Sequence, residues 1–263
     1  MEQDLKRNQG MAEAWRECLS PEGYLVAVKL LKSLQGFEDI KRPEKHVTLC
    51  QLIAQTRYFG RTRIAKEEDL NTCYAAPPIL GFRELVKEAW KRYVGYQMPT
   101  EEVARAAVEA IPHFPAGEYN AVLLSPLEKC PVAPDVVIFI GNASQMLVVT
   151  AAYIYNKGGT LTFTSSGLAA CANIIVLPMK DKRPQIAIPG NGWKLLATPS
   201  NTDLLCGIPG ELLEEMAEGM RFMRRYGGSQ YPVAWQHIQW EPQPPISDLL
   251  PDDGYPSWIR KRT

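Results

Sequence analysis

The chain has 263 residues, which is long enough for one large domain or two smaller ones. Apolar residues make up 46% of it and charged residues 22%, as in ordinary globular proteins, which excludes an intrinsically disordered chain. The 29 basic and 29 acidic side chains balance, so the net charge does not support binding to nucleic acid or to an anionic membrane surface.

Membrane-spanning and secretory segments are not expected. No run reaches the roughly 18 to 20 consecutive apolar residues that a membrane span requires, and the longest apolar-rich run, 146–154, is interrupted by Thr150. Residues 1–17 carry several charges and no apolar stretch, unlike a secretory signal. These features predict a cytoplasmic protein without a membrane partner.

The first half of the chain alternates between helical and strand patterns. Predicted helices cover 4–18, 47–59, 82–93 and 100–111, and predicted strands cover 24–31 and a short segment that begins at Ile64. Gly60 ends the second helix, and Cys50 lies in its first turn, where free backbone N–H groups favour a thiolate. Cys73 is followed by the paired prolines Pro77 and Pro78, which predict a loop.

The second half contains shorter apolar runs between turn residues. Predicted strands cover 121–124, 136–140, 160–164, 184–189 and 204–209, and predicted helices cover 145–155, 168–175 and 211–225. The last helix is amphipathic, with Leu212 and Met216 on one face and Glu214 on the other. The alternation predicts an α/β or α+β fold in which helices pack on a mixed β-sheet.

The composition changes near residue 231. We predict a single domain over 1–230 and a C-terminal extension over 231–263 that is rich in Trp and Pro and has little regular structure. Three of the six tryptophans, Trp235, Trp240 and Trp258, lie in this extension. Since exposed indoles are unfavourable in water, we expect the extension to pack on the body or on a partner subunit of a homo-oligomer.

The six cysteines are widely spaced and form no C-x-x-C motif. A secreted disulfide scaffold would be shorter and denser in cysteine. In a reducing compartment each cysteine is a buried apolar residue, a ligand of a metal or cluster, or a reactive thiol. Cys18, Cys130 and Cys206 are interpreted as structural, because they lie in an amphipathic helix, before a proline and in an apolar strand.

Several segments occur in an order that resembles one known family. They are Ala27–Lys29, Cys50–Gln51, the segment with Asp69, Cys73 and Leu80–Gly81, and the blocks 136–159, 165–179, 184–193 and 203–220. Together they resemble the DUF169 or "archaeal conserved region" proteins, which are common in archaea and anaerobic bacteria. The resemblance extends from about Tyr24 to Phe222 and implies no established reaction.

The resemblance also singles out three cysteines. Cys50, Cys73 and Cys171 match cysteines that recur in the family pattern, whereas Gly190 stands where family members often have a further cysteine. Three converging thiolates would suit an iron–sulfur cluster with one open iron position, or a soft metal. The spacings match no ligand signature, so the alternative is that each thiol is a small core residue.

Two turns between strands and helices are candidate ligand-binding sites. One contains Asn142, Ser144 and Gln145, and the other contains Ser165, Ser166 and Gly167. Backbone N–H groups at such turns can hold an anionic group of a small-molecule ligand. The alternative is that these side chains only cap helices. Neither a dinucleotide-binding nor a Walker motif is present, and the G-x-S-x-G motif of hydrolases is absent.

Two functions from different classes follow. The first is a cytoplasmic small-molecule enzyme or redox protein of anaerobic-type metabolism, with a metal or iron–sulfur site at the three cysteines. The second is a metal-free ligand-binding or accessory subunit without catalysis of its own, whose ligand binds at the two turns.

Overall fold

The structure is a computed structural model that describes residues 2–226 and 231. Its centre is a six-stranded sheet with the strand order β2-β3-β1-β4-β6-β5. The strands are β1 (Val26–Leu31), β2 (Arg63–Lys66), β3 (Ala121–Pro126), β4 (Val136–Gly141), β5 (Gln185–Ala187) and β6 (Leu204–Pro209). Every neighbouring pair is antiparallel, so the predicted mixed sheet is corrected. Strand direction depends on whether each connection stays at one end of the sheet or crosses to the other end, which residue patterns within the strands do not encode.

Helices cover both faces of this sheet, which confirms the predicted class of a sheet with helices packed on it. They are α1 (Glu2–Leu19), α2 (Leu49–Phe59), α3 (Ala76–Ile79), α4 (Glu101–Glu109), α5 (Ala143–Ile154), α6 (Leu177–Asp181), α7 (Asn191–Leu196) and α8 (Leu213–Tyr226). A π-helical turn, Ala172–Val176, leads directly into α6. Within the described residues, none of the helices is both long and apolar enough to cross a membrane.

Alternating strand residues separate two hydrophobic cores, because successive side chains of a strand point to opposite faces. In β1, Val26 and Val28 face the core that α2, α3, the π-helical turn and α7 cover. Ala27 and Leu31 face the core that α1, α5 and α8 cover. We call the first side of the sheet the α2 face and the second the α5 face.

Capping residues fix the ends of α2. Thr48 accepts a hydrogen bond from the Gln51 backbone, and the Gln51 side chain accepts one from the Thr48 backbone, so both free N–H groups are satisfied. Gly60 ends the helix with a φ of 61°, a left-handed conformation that glycine adopts without strain. The predicted helix over 47–59 is thus confirmed, and Cys50 lies in its first turn.

The π-helical turn approaches the sheet very closely. A Cβ atom at Gly207 in β6 would overlap the backbone carbonyl of Ile174, so only glycine lets this turn lie directly against the strand. π-Helical turns within α-helices are rare and are frequent at functional sites. Cys171 immediately precedes this one.

Three local predictions differ from the structure. Residues 82–93 form turns and one 3₁₀ turn, Ala89–Arg92, instead of a helix, because tertiary contacts hold them: the hydroxyls of Tyr93 and Tyr74 lie 3.0 Å apart. The predicted strand 160–164 has no ladder partner among the described residues. Pro77 and Pro78 occupy the first turn of α3, where a missing backbone N–H is tolerated.

The predicted C-terminal extension, 231–263, lies outside the described residues except for Tyr231, whose hydroxyl accepts a hydrogen bond from Asn142 at 3.3 Å. Self-association through the extension therefore stays a prediction. The described residues 2–226 belong to one compact unit.

Candidate functional site

A cavity of about 120 Å³ lies on the α2 face and brings the three predicted cysteines together. Four segments form its wall: the start of α2, the loop 72–75, the segment 168–171 and the start of α7. Its lining residues are Thr48, Leu49, Cys50, Thr72, Cys73, Tyr74, Ala75, Leu168, Ala169, Ala170, Cys171, Gly190, Gly192, Trp193 and Leu196. Cys50, Cys73 and Cys171 come from distant parts of the chain, so the fold alone assembles them.

Cys50 is held at the start of α2. Its Sγ lies 3.1 Å from the Thr48 hydroxyl oxygen and donates a long hydrogen bond of 3.7 Å to the Gly192 carbonyl of α7. Burial raises the pKa of the Cys50 thiol above its ordinary value and outweighs the hydrogen bond from Thr48 that would lower it. The backbone N–H groups of Cys50 and Gln51 at the helix start also lower this pKa, as the sequence suggested, but burial outweighs them.

Cys73 and Cys171 differ in their access to solvent. Cys73 is half-buried in its loop, which is closed by a 2.8 Å hydrogen bond from its backbone N–H to the Leu70 carbonyl. Cys171 is only 8% exposed, and burial raises its pKa strongly, with smaller contributions from the neighbouring Cys73 and Cys50. All three cysteines line the same cavity.

Among the residues that the structure describes, no Lys, Arg, His, Asp or Glu side chain lines this cavity. Its polar side chains, apart from the thiols, are Thr48, Thr72, Tyr74 and Trp193. The indole Nε1–H of Trp193 is buried and has no hydrogen-bond acceptor, which is unfavourable for a donor removed from water. The part of the cavity wall that the structure describes is thus rich in sulfur and carries no charged side chain, and one of its residues, Trp193, has an unpaired buried donor.

The arrangement of the thiols is not that of a single-ion site. Within residues 2–226 and 231, no group of three or more His, Cys, Asp or Glu side chains is placed to hold a metal ion. In this conformation Cys50 is turned toward Thr48 and Gly192. The cysteines therefore share a cavity without surrounding one point.

The Ser165–Ser166–Gly167 turn does not line the cavity but immediately precedes one of its wall segments, 168–171. The buried Asn173 accepts hydrogen bonds from the backbone and the hydroxyl of Ser166 and donates one of 2.8 Å to the Thr164 carbonyl. The Ser165 hydroxyl accepts one from Ile188. Since these groups are already paired, the turn serves to position the segment 168–171 that follows it.

The turn with Asn142, Ser144 and Gln145 caps α5. It therefore lies on the α5 face of the sheet, opposite the face that carries the cysteine cavity. Asn142 and Gln145 exchange hydrogen bonds in a capping box, and Gln145 also donates to the Leu19 carbonyl at 2.8 Å. Ser144 is exposed. None of these three residues lines the cysteine cavity, so this turn and the three cysteines do not form one site.

Replacing Asn142 by alanine should lower the free energy of unfolding by about 1 kcal/mol, the usual effect of losing an N-cap acceptor. Urea denaturation measures this change. The alkylation rates of Cys50, Cys73 and Cys171 should stay at their wild-type values, because the turn and the cavity lie on different faces. An altered rate at any of these cysteines would contradict this separation.

Comparison with known proteins finds one matching family model and one curated relative. The profile of DUF169, described as uncharacterised ArCR proteins, matches residues 15–219, which include the sheet and all four walls of the cavity. The chain belongs to the DUF169 family. An uncharacterised protein of Methanocaldococcus jannaschii is 26% identical over 231 residues, which cover 84% of this chain and 97% of that protein. No solved structure matches the chain.

Two residues of the site lie within the DUF169 match but were not predicted from the sequence as site residues. Trp193 ends the block PQIAIPGNGW, and Gly192 within it supplies the carbonyl that Cys50 contacts. The only signal in the sequence was their place in a block that resembles the family. Gly190, at the position of the further cysteine implied by the resemblance, lines the same cavity.

Proposed function

We propose that the cysteine cavity is the functional site of a cytoplasmic enzyme or redox protein that acts on a small molecule. The observation that carries this proposal is the convergence of Cys50, Cys73 and Cys171 on one cavity. Its volume of about 120 Å³ gives room for several water molecules or a small ligand. The cavity lies beside a π-helical turn, a feature that is frequent at functional sites.

We further propose that the three thiols hold an iron–sulfur cluster. Sulfur donors are the ligands that such groups prefer, and bound cations deprotonate thiols whose pKa burial has raised. A cluster distributes its cysteine ligands over several irons, so it is more compatible with separated thiols than one ion is. When bound, the group would supply electron transfer or Lewis-acid chemistry; the chain contributes the thiols and an uncharged wall.

The test is the metal and sulfide content of full-length protein purified without oxygen. We expect stoichiometric iron and sulfide, and at least a tenfold loss of this iron and sulfide content in both Cys50→Ser and Cys73→Ser. Cys206→Ser is the matched control, because Cys206 is fully buried in β6 on the α5 face and should affect stability alone. Equal behaviour of all three variants would contradict a shared thiol site.

A metal-free ligand-binding or accessory protein is the second candidate. The raised pKa of Cys50 and Cys171 favours it, because neutral thiols need no cation. Protein that stays metal-free and folded after incubation with iron and sulfide would support this candidate. A small neutral ligand should then raise the melting temperature, since binding to the folded state stabilises it.

A further inference from the structure

Asp69 connects two of the four wall segments of the cysteine cavity. One segment is the start of α2, which carries Cys50, and the other is the loop 72–75, which carries Cys73. The backbone N–H of Val47 donates a 2.9 Å hydrogen bond to the Asp69 carbonyl. Val47 lies three residues before Cys50. Asp69 lies four residues before Cys73, so this bond links the two thiols through short lengths of chain.

The Asp69 side chain strengthens this junction. Its carboxylate is 11% exposed and accepts two hydrogen bonds of 2.8 Å from Arg42, one from Nε to Oδ2 and one from Nη2 to Oδ1. Its Oδ2 also accepts a 2.9 Å hydrogen bond from the backbone N–H of Lys66, the last residue of β2. Such a two-bond contact between arginine and a carboxylate is strong and fixes the orientation of both groups. Asp69 thus ties the chain before α2 to β2 and to the turn before Cys73.

Short contacts carry this junction to the thiols. On one side, Leu70 directly follows Asp69, is fully buried, and accepts the backbone N–H of Cys73 at 2.8 Å. On the other side, the Thr48 hydroxyl caps α2 and lies 3.1 Å from the Cys50 Sγ. A displacement of Asp69 would therefore loosen the anchors of both segments that carry these thiols.

We infer that Asp69, held by Arg42, is a positioning residue that sets the placement of Cys50 relative to Cys73. Neither Asp69 nor Arg42 lines the cavity, so the pair acts through the two wall segments and not on a ligand. The inference rests on the proposed function, because it names the residues that keep the proposed thiol site in shape.

The experiment measures the alkylation rate of every cysteine in full-length, chelator-treated protein with iodoacetamide and mass spectrometry. In this reaction the thiol loses its proton to solvent, and the sulfur displaces iodide and forms one carbon–sulfur bond. Cys50 is the reporter, and Cys130 and Cys206, fully buried in the core of the α5 face, are the references. A variant that only destabilises the fold accelerates the references at least as much as Cys50, whereas a local displacement accelerates Cys50 selectively.

We expect Asp69→Asn to raise the Cys50 rate, relative to the two references, at least about tenfold, because a neutral amide cannot accept both bonds from Arg42. Arg42→Met should have the same selective effect. It keeps the hydrogen bond between Asp69 and Lys66, so it decides the question if Asp69→Asn does not fold. Urea denaturation shows which variants are folded.

Glu68→Gln is the matched control. Glu68 is the adjacent carboxylate and binds the same arginine, Arg42, at 2.8 Å, but its side chain is 55% exposed. Since exposed ion pairs contribute little, the relative Cys50 rate should stay within about twofold of the wild-type value.

Three outcomes would overturn the inference. They are an unchanged Cys50 rate in the folded variants of Asp69 and Arg42, equal acceleration of Cys50 and the references, and an equal effect of Glu68→Gln. The rates are measured without metal, so they do not depend on the iron and sulfide content of the purified protein. Wild-type protein without iron and sulfide would contradict the proposed cluster and leave this test intact, which makes the two failures distinguishable.

Discussion

Replacing Arg57 by methionine is expected to lower the free energy of unfolding by about 3–5 kcal/mol, the usual effect of removing one partner of a buried ion pair. The Arg57 and Asp203 side chains are 4% and 8% exposed, and their Nη1 and Oδ2 atoms lie 3.3 Å apart. Arg57 also donates from Nε to the Glu22 carbonyl at 3.0 Å. Among the described residues, the variant would leave the buried Asp203 carboxylate with the Ser200 backbone N–H as its remaining donor.

An exposed ion pair of the same type provides the control. Arg105 and Glu101 are 2.7 Å apart on α4, and both side chains are about half exposed. Arg105→Met should therefore cost less than about 1 kcal/mol in urea denaturation. Combining Arg57→Met with Asp203→Asn should cost less than the sum of the single variants. If Arg57→Met costs no more than Arg105→Met, the buried pair does not stabilise the fold.

The variant Gly207→Ala should cost about 3 kcal/mol and should also alter the cysteine cavity. The added methyl group would overlap the Ile174 carbonyl, so the strand or the π-helical turn must move. Since Cys171 immediately precedes that turn, its thiol should become more accessible. Urea denaturation measures the stability, and the alkylation rate of Cys171 measures the local change.

Gly10→Ala is the comparison for Gly207→Ala. Gly10 lies within α1, and no neighbouring atom lies within 4 Å of the position its Cβ would occupy. Alanine should stabilise the protein there by about 0.5–1 kcal/mol, because it restricts the unfolded chain and favours helix. A Gly207→Ala protein with wild-type stability and an unreactive Cys171 would show that the π-helical turn can shift without consequence.

The sequence was most informative where local chemistry determines structure. Thr48 and Gln51 fix the start of α2 through contacts within one turn, and the apolar runs of β3 and β4 are long enough to identify strands. The cysteine cavity was predictable only in part. The family resemblance singled out Cys50, Cys73 and Cys171 as thiols that could converge, and all three line one cavity.

Features that depend on distant contacts were not predictable. The segment 82–93 has good helix formers, but packing of Trp90 and Tyr93 against Ala104 and Val108 of α4 determines its conformation. The raised pKa of Cys50 is another example, because its cause is burial under α7, about 140 residues away along the chain. The direction of the strands also depends on distant contacts and was not predictable from the sequence.

The two outer strands of the sheet bear on how the protein behaves at high concentration. β2 has four residues, begins with Arg63 and ends with Lys66, and β5 has three residues. Pro184 and Pro189 flank β5 and cannot donate ladder hydrogen bonds. Short edges that carry charge or border on proline discourage pairing with the sheet of another molecule. Folded copies of this chain should therefore resist aggregation through edge-to-edge β-sheet growth.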